Sequence, residues 1–453
     1  MFKRRKIIIL GLARSGFAAA KVLASAKKKN QVILTEKKSK EELDPKVLQE
    51  LENLDVDLVL GDNPIELVNS EVDYIIKNPG IAIDHPYVLK AKELGIPVIN
   101  ELELAYQLMP KEGVTLIGIT GTNGKTTTTT LIYEMIKASN RQVYLAGNIG
   151  YPLCDFIGKI KRGDIVVVET SCQQLENIDT YKPNIAVLTN IDIAHLEFMK
   201  TYEHYKEVKM RIMQNQTSED VVIINDDCQE LDEAKRRAKA KKRFFSLKNQ
   251  KATAHITDKT IYVNEKPVIA LKDIKLIGEH NYQNIMAAIL AVKEVGVDDA
   301  SIKKVLTTFK GVEHRLEYVD TINGVDFYND TEATNIKCTQ IALASFNRPT
   351  ILILGGYERN QNFADLIPYL KNTKAILAIG STKERVLEFG KKQNIPTYAY
   401  NTQLEALSYV FDLASPGDVV LLSPAAASWD QYKQAEDRGA EFKDWVKAQK
   451  NLK

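Results

Sequence analysis

The sequence predicts an α/β protein of three successive domains: a Rossmann-like, doubly wound N-terminal domain, a central P-loop ATPase-like domain and a C-terminal Rossmann-like domain. Three observations predict it. The chain has 453 residues, about three times the usual domain length. Apolar runs of strand length alternate with helical stretches throughout, the pattern of parallel sheets buried on both faces. Twice an apolar strand runs straight into a glycine-bearing turn and then a helix, first at Gly11 and again at Gly121. The spacing sets the domains at 1–106, 107–311 and 312–453.

In the first domain, residues 7–10 form an apolar strand and 15–26 an alanine-rich helix. Further strands are expected at 32–35, 56–60 and 74–77, the last entering the turn Asn78-Pro79-Gly80. The stretch Gly11 to Gly16 joins the first strand to the first helix, where the N–H groups of a helix N-terminus can meet a phosphate. It lacks the GxGxxG spacing, so a tight turn that simply needs glycine is an equal reading. The second domain opens with a strand at 115–119 and continues with strands at 164–169, 185–189 and 221–225. A polar stretch, 226–273, reads as an excursion of strands and loops before a helix at 281–295. The third domain has strands at 325–329, 350–354, 375–379 and 419–423.

Composition excludes several classes of function. With 61 Lys+Arg against 59 Asp+Glu the net charge is +2, which argues against a polybasic nucleic-acid binder. No apolar run approaches the roughly 18 residues of a membrane span, and the basic start before Ile7 leads into a buried strand rather than a signal peptide. Cys154, Cys172, Cys228 and Cys338 lie far apart, as free thiols of a reducing cytosol do. A cytoplasmic monomer without membrane insertion is expected.

The most specific signal is Thr120-Gly-Thr-Asn-Gly-Lys-Thr-Thr127, between a strand and a helix. Its glycines let backbone N–H groups face phosphate oxygens, Lys125 adds a cation, and the Thr126 hydroxyl can ligate Mg²⁺. It departs from strict GxxxxGK[ST], because Ile119 occupies the first glycine position. Glu169 ends the strand at 164–168; alone it is an ordinary strand-end carboxylate, but beside a phosphate loop it suits a metal. On the expected helix 201–214, Tyr202, Tyr205, Ile212 and Met213 share an apolar face, and Lys209 falls in its middle. A lysine there snorkels, pairs with a carboxylate, or has chemistry that needs partial burial.

Gly-Thr-Asn-Gly-Lys-Thr resembles the ATP loop of the Mur ligases and folylpolyglutamate synthases, and the resemblance covers nearly the whole chain. Gly11-Leu-Ala-Arg-Ser-Gly16 and Lys77-Asn-Pro-Gly-Ile81 look like the D-glutamate-adding branch of the Mur ligases. The resemblance implies an ATP-dependent amide ligase of peptidoglycan precursor synthesis, with ATP, UDP-N-acetylmuramoyl-L-alanine and D-glutamate as substrates and two Mg²⁺ ions. Lys125, Lys209, His195 and Glu169 would be catalytic. Thr126, Glu169, His195 and a carbamylated Lys209 would hold metal. ATP would meet Gly121, Thr122, Asn123, Gly124, Lys125, Thr126, Thr127, Asn281, Asn284, Arg315 and Asp330, although a helix N-cap is the plain reading of Asn281. The first domain would take the UDP-substrate through Leu12, Ala13, Arg14, Ser15, Glu36, Lys38, Asn78 and Gly80, assisted by Asn148, Ser171 and Gln174. The third would close over the nucleotide and take the acceptor on Thr334, Arg359 and Ser428.

The sequence departs from the family pattern at Cys172, Gln173, Ala194, Glu332 and Ala435, where the family has Ser, Phe, Thr, Lys and Phe. Glu332 reverses a charge; compensation by Lys337 or Arg359 and a weakened or altered acceptor site are both open readings. A different Mur-like ligase, or a ligase-like nucleotide-binding scaffold that no longer ligates, is the competing reading. A dinucleotide oxidoreductase has no place for the Thr120–Thr127 loop.

Overall fold

The computed structural model describes residues 4–25, 30–192, 196–276 and 278–451. It contains three sheets in two compact units, one of residues 1–273 and 282–305, the other of 274–281 and 306–453. The first sheet is five-stranded and parallel, in the order Asp57–Leu60, Gln31–Glu36, Lys6–Leu10, Tyr74–Lys77, Val98–Ile99. Strand order reverses between Lys6–Leu10 and Tyr74–Lys77, so the loops at 11–13 and 78–81 flank a switch-point crevice at the strands' carboxyl ends. The helix Arg14–Ala24 packs here because Ala18, Ala19 and Ala20 let its axis come close; all three are buried.

The second sheet has nine strands. Within it Thr115–Thr120 lies between Ile185–Leu188 and Ile165–Glu169, all parallel, and leads into the helix Lys125–Ala138. The expected excursion extends this sheet: Lys241–Phe245 and Ala254–Thr257 continue it in parallel, and Thr260–Val263 and Lys266–Ala270 add antiparallel edge strands. The edge strand Val143–Gly147 went unpredicted, because its sequence, Val-Tyr-Leu-Ala-Gly, is short and carries no alternation.

Ile7 and Ile9 of the first sheet and Val166, Val168 and Leu188 of the second belong to one buried apolar cluster. That shared core explains why two sheets make one unit. The third sheet runs Glu317–Ile322, Val325–Asn329, Val419–Leu422, Thr350–Gly355, Thr373–Ile379, Thr397–Ala399, with its first pair antiparallel, a departure from the all-parallel expectation that Asn323-Gly324 permits by turning a tight hairpin.

 The strand at that sheet's far edge is Thr397–Ala399. No helix among the described residues is long and apolar enough to cross a membrane.

Candidate active site

The phosphate loop begins where the buried strand Thr115–Thr120 ends. Gly121 and Gly124 both adopt positive φ, and a Cβ at either would strike a neighbour, Thr189 Oγ1 and Asn284 Oδ1 respectively. Only glycine fits both places. The loop is braced from the next strand: Thr122 N donates to Asn190 O (2.9 Å), Asn123 N to Asn190 Oδ1 (2.8 Å), and Thr189 Oγ1 to Asn123 O (2.7 Å). Lys125 opens the helix Lys125–Ala138 and folds back, donating to the carbonyls of Gly121 (3.0 Å) and Thr122 (2.9 Å). Thr126 and Thr127 follow it in the first turn, and the loop's N–H groups stand at the positive end of the helix.

Lys209 lies on the helix Tyr202–Met210 and is 1 % exposed. The three readings of it resolve into burial beside the phosphate loop: Nζ donates to Gly121 O at 2.7 Å and sits over the Tyr205 ring. Burial, and then repulsion from Lys125, bring its pKa down to about 7, with Cys172 and Glu169 opposing the fall. The Tyr205 hydroxyl bonds Thr122 Oγ1 at 2.8 Å, tying the lysine helix to the loop.

Glu169 ends its strand with 1 % exposure. Asn148 Nδ2 donates to its Oε1 (2.8 Å), while Oε2 is buried with no hydrogen-bond partner among the described residues. An orphaned carboxylate oxygen beside a phosphate loop and a lysine fits a hard divalent cation. His195 lies outside the described residues. Lys125, Asn148, Ser171, Cys172 and Lys209 line one cavity of about 300 Å³ with Pro79 and Gly80. Ser171 and Gln174 form a reciprocal capping box at the start of a short helix, so their local bonds are to each other. The Cys172 thiol, raised by burial, donates to Gln173 Oε1.

Two more cavities open along the first sheet's switch point. One of about 460 Å³ is lined by Leu12, Ala13, Glu36, Lys38, Asn78, Gly80 and neighbours. The other, of about 240 Å³, is lined by Ala13, Arg14, Ser15, Asn78, Asn148 and Gln174. The Glu36 carboxylate already accepts from Leu12 N (2.7 Å) and Lys38 N (3.2 Å), and Asn78 Nδ2 donates to Ser15 Oγ (3.1 Å). Asn284 is buried against the phosphate-loop helix, with Thr128 Oγ1 3.4 Å from its Oδ1. Asn281 is not an N-cap: the helix Glu279–Glu294 starts two residues earlier.

In the second unit, Asp330 is buried with both oxygens engaged, Oδ1 by Leu316 N (3.1 Å) and Oδ2 by Ser423 Oγ (2.7 Å). Burial lifts its pKa to about 7 against those bonds. Glu332 pairs with Arg315 at 3.2 Å, a cation that the sequence reading had not set against it. Thr334 is half-buried, and its N–H donates to Glu332 O (2.9 Å). The Ser428 hydroxyl is buried without a hydrogen-bond partner among the described residues. Arg359 is exposed and lies over the Trp429 ring. Ala435 starts the last helix, and its carbonyl accepts from Thr331 Oγ1 (2.9 Å).

The Mur ligase middle domain matches residues 119–292, the MurD-like N-terminal domain of Mur ligases 5–100, and the Mur ligase glutamate ligase domain 314–426. The chain is a Mur ligase. It is 45% identical over 444 residues to the UDP-N-acetylmuramoylalanine--D-glutamate ligase of Geobacillus kaustophilus, covering 97% of each chain. The enzyme of the same name from Bacillus subtilis is 40% identical over 447 residues, covering 98% of each. Among solved structures, the MurF ligase from Thermotoga maritima in complex with ADP shares the fold, with a TM-score of 0.61, 18% identity and coverage of 92% of this chain and 95% of that one.

Several residues of this Mur ligase escaped the sequence reading. Asn190 and Tyr205 brace the phosphate loop. Lys77 is buried and donates to the carbonyls of Asn78 (3.3 Å) and Ile81 (2.7 Å), holding the loop that lines the donor-side cavities; burial takes its pKa to about 8. Glu101 lines the smaller of those cavities, with a carboxyl pushed by burial to about 7. Arg438 is buried at the start of the last helix and donates to Thr331 Oγ1 (3.0 Å) and Ala426 O (3.1 Å). A charged residue at the end of an apolar run was the available signal for Lys77; Arg438, amid other charges, carried none.

Proposed function

We propose that this Mur ligase joins D-glutamate to UDP-N-acetylmuramoyl-L-alanine with cleavage of ATP to ADP and phosphate, a step of peptidoglycan precursor synthesis. The observation that carries the reading is the convergence of Lys125 and Lys209 on the Gly121 carbonyl beside the buried, half-satisfied Glu169. The full-length identity to relatives named for that reaction supports the substrates.

A carboxylate oxygen is a poor leaving group, so the donor's alanine carboxylate first attacks the γ-phosphorus of ATP. The bond from that phosphorus to the bridging oxygen breaks, and an acyl phosphate and ADP form. The amine of D-glutamate then adds to the acyl carbon, loses a proton and expels phosphate, leaving the amide. The loop N–H groups of 121–127 and the Lys125 ammonium hold the phosphates and offset charge that spreads over the transferred group. Mg²⁺ supplies further charge neutralisation when bound; Thr126, Glu169, His195 and Lys209 as a carbamate are its proposed ligands, for two ions. The buried Lys209 amine is neutral in part near pH 7, the form that adds to CO₂. Asn148 orients Glu169.

Segment 1–106 takes the UDP moiety in the cavity beside Leu12, Glu36 and Asn78, and 107–311 takes ATP. Segment 312–453 takes D-glutamate on Thr334, Arg359 and Ser428, with Arg315 and Asp330 serving the nucleotide. The setting is cytoplasmic and the chain acts as a monomer. The test is release of ADP by the purified protein with the donor and a panel of amino acids. Release that needs both the donor and D-glutamate is the expected result. ATP binding without release under any combination would instead establish a scaffold.

A further inference from the structure

The segment that follows the strand Val419–Leu422 is held unusually firmly for a loop that presents an indole to solvent. Tyr357 N donates to Ala427 O (2.8 Å), Arg438 Nη2 to Ala426 O (3.1 Å), and Ser381 N to Asp430 Oδ2 (2.8 Å). Between these anchors Trp429 is 60% exposed, with Tyr357, itself 41% exposed, against it at 5.7 Å between ring centroids. The Arg359 guanidinium lies over the indole, its carbon 4.1 Å from the ring centroid. Among the described residues that guanidinium has no carboxylate partner, whereas the neighbouring Arg385 is paired with Glu358. Ser428, next in the chain to Trp429, is 1% exposed, and its hydroxyl has no hydrogen-bond partner among the described residues.

These facts have one chemical consequence. A guanidinium lying over a ring has one side covered, and its five N–H donors lie in its own plane. The contact therefore restrains the fork without using any of its donors. A fork held this way, over the residue next in the chain to a buried hydroxyl that lacks a partner among the described residues, is prepared for a carboxylate.

We propose that Trp429 is a positioning residue for the acceptor: its indole holds Arg359 so that the guanidinium edge, with Ser428, receives a carboxylate of the incoming amino acid. The inference rests on the proposed reaction and adds to it the group that orients the acceptor's cation. Trp429 touches Arg359 rather than the reacting atoms, so its loss acts on acceptor binding more than on turnover.

The test uses the full chain with the donor and a non-hydrolysable ATP analogue, titrated with D-glutamate while tryptophan emission is read. The chain has only two tryptophans, Trp429 and Trp445, and Trp445 stacks on Phe411 in the core of the same unit. Emission changes with a midpoint near the KM for D-glutamate in the wild type and stays flat in Trp429→Leu, which keeps Trp445. In steady-state assays Trp429→Leu raises the KM for D-glutamate about two- to fivefold, the size of an exposed cation–π contact, with kcat within about twofold. Trp429→Phe, which retains a ring, restores most of the loss. Equal KM values and no emission change in a wild type that does release ADP with D-glutamate overturn the inference alone. A wild type that releases no ADP with D-glutamate overturns the proposed reaction, and the inference with it.

Discussion

Lys209 shows how much chemistry a single position acquires from its surroundings. On an isolated helix it would be charged near neutrality; here burial and the Lys125 ammonium lower its pKa to about 7. Because the folded value lies below the unfolded one, the unfolded chain binds more protons between about pH 7 and 10, and the cost of burying Lys209 shrinks as pH rises through that window. The neutral amine gains over the same rise. Carbamate at Lys209, read by NMR with ¹³C-bicarbonate, should therefore grow from pH 6 to 8 and be absent from Lys209→Met; a signal that falls over that range would refute the assignment. Glu332 is the opposite case. Its reversed charge was visible in the sequence, but its partner was not, since Arg315 lies seventeen positions away and only the fold brings the two within 3.2 Å.

At the scale of elements, Asp330 joins two parallel strands. It follows Val325–Asn329 and accepts from Ser423, which follows Val419–Leu422, and from Leu316 N. The resemblance implies that this carboxylate meets ATP; in the fold both its oxygens have partners, as burial requires. Its folded pKa, about 7, exceeds the unfolded one, so between about pH 4 and 7 the native state holds the extra proton and loses stability as pH rises. Asp330→Asn removes that dependence. Chemical denaturation should show the variant gaining on the wild type, by on the order of 1–3 kcal/mol, between pH 5 and pH 8. An unchanged difference would mean that Asp330 is charged throughout. Several strands were legible from their β-branched and aromatic residues: Tyr74–Lys77, Val221–Asn225 and Val325–Asn329 were placed to the residue. Helix ends were less so, and the expected helix 201–214 ends its α-helical part at Met210 before a tighter turn, Arg211–Met213.

For the whole molecule, the three sheets match the three expected domains; the first two share one apolar core, and the third has its own. Cooperative unfolding follows shared cores. Calorimetry should resolve two transitions rather than three, and UDP-N-acetylmuramoyl-L-alanine at about a hundred times its Kd should raise the one belonging to residues 1–273 by a few degrees. Three separate transitions would show that the shared core does not couple the sheets. The sequence alone determined the fold class and the phosphate loop, and singled out Lys125, Glu169 and Lys209 as candidates. Such features are local: strand patterning, glycine spacing and a lysine on an apolar face are written within a few residues of one another. The tertiary structure alone decided the loop's braces at Asn190 and Tyr205, the buried Lys77 and Arg438, the Arg315 partner of Glu332 and the stacking of Arg359 on Trp429. Each of these joins groups separated along the chain, and burial, which sets their charge and their need for partners, exists only once the chain has packed.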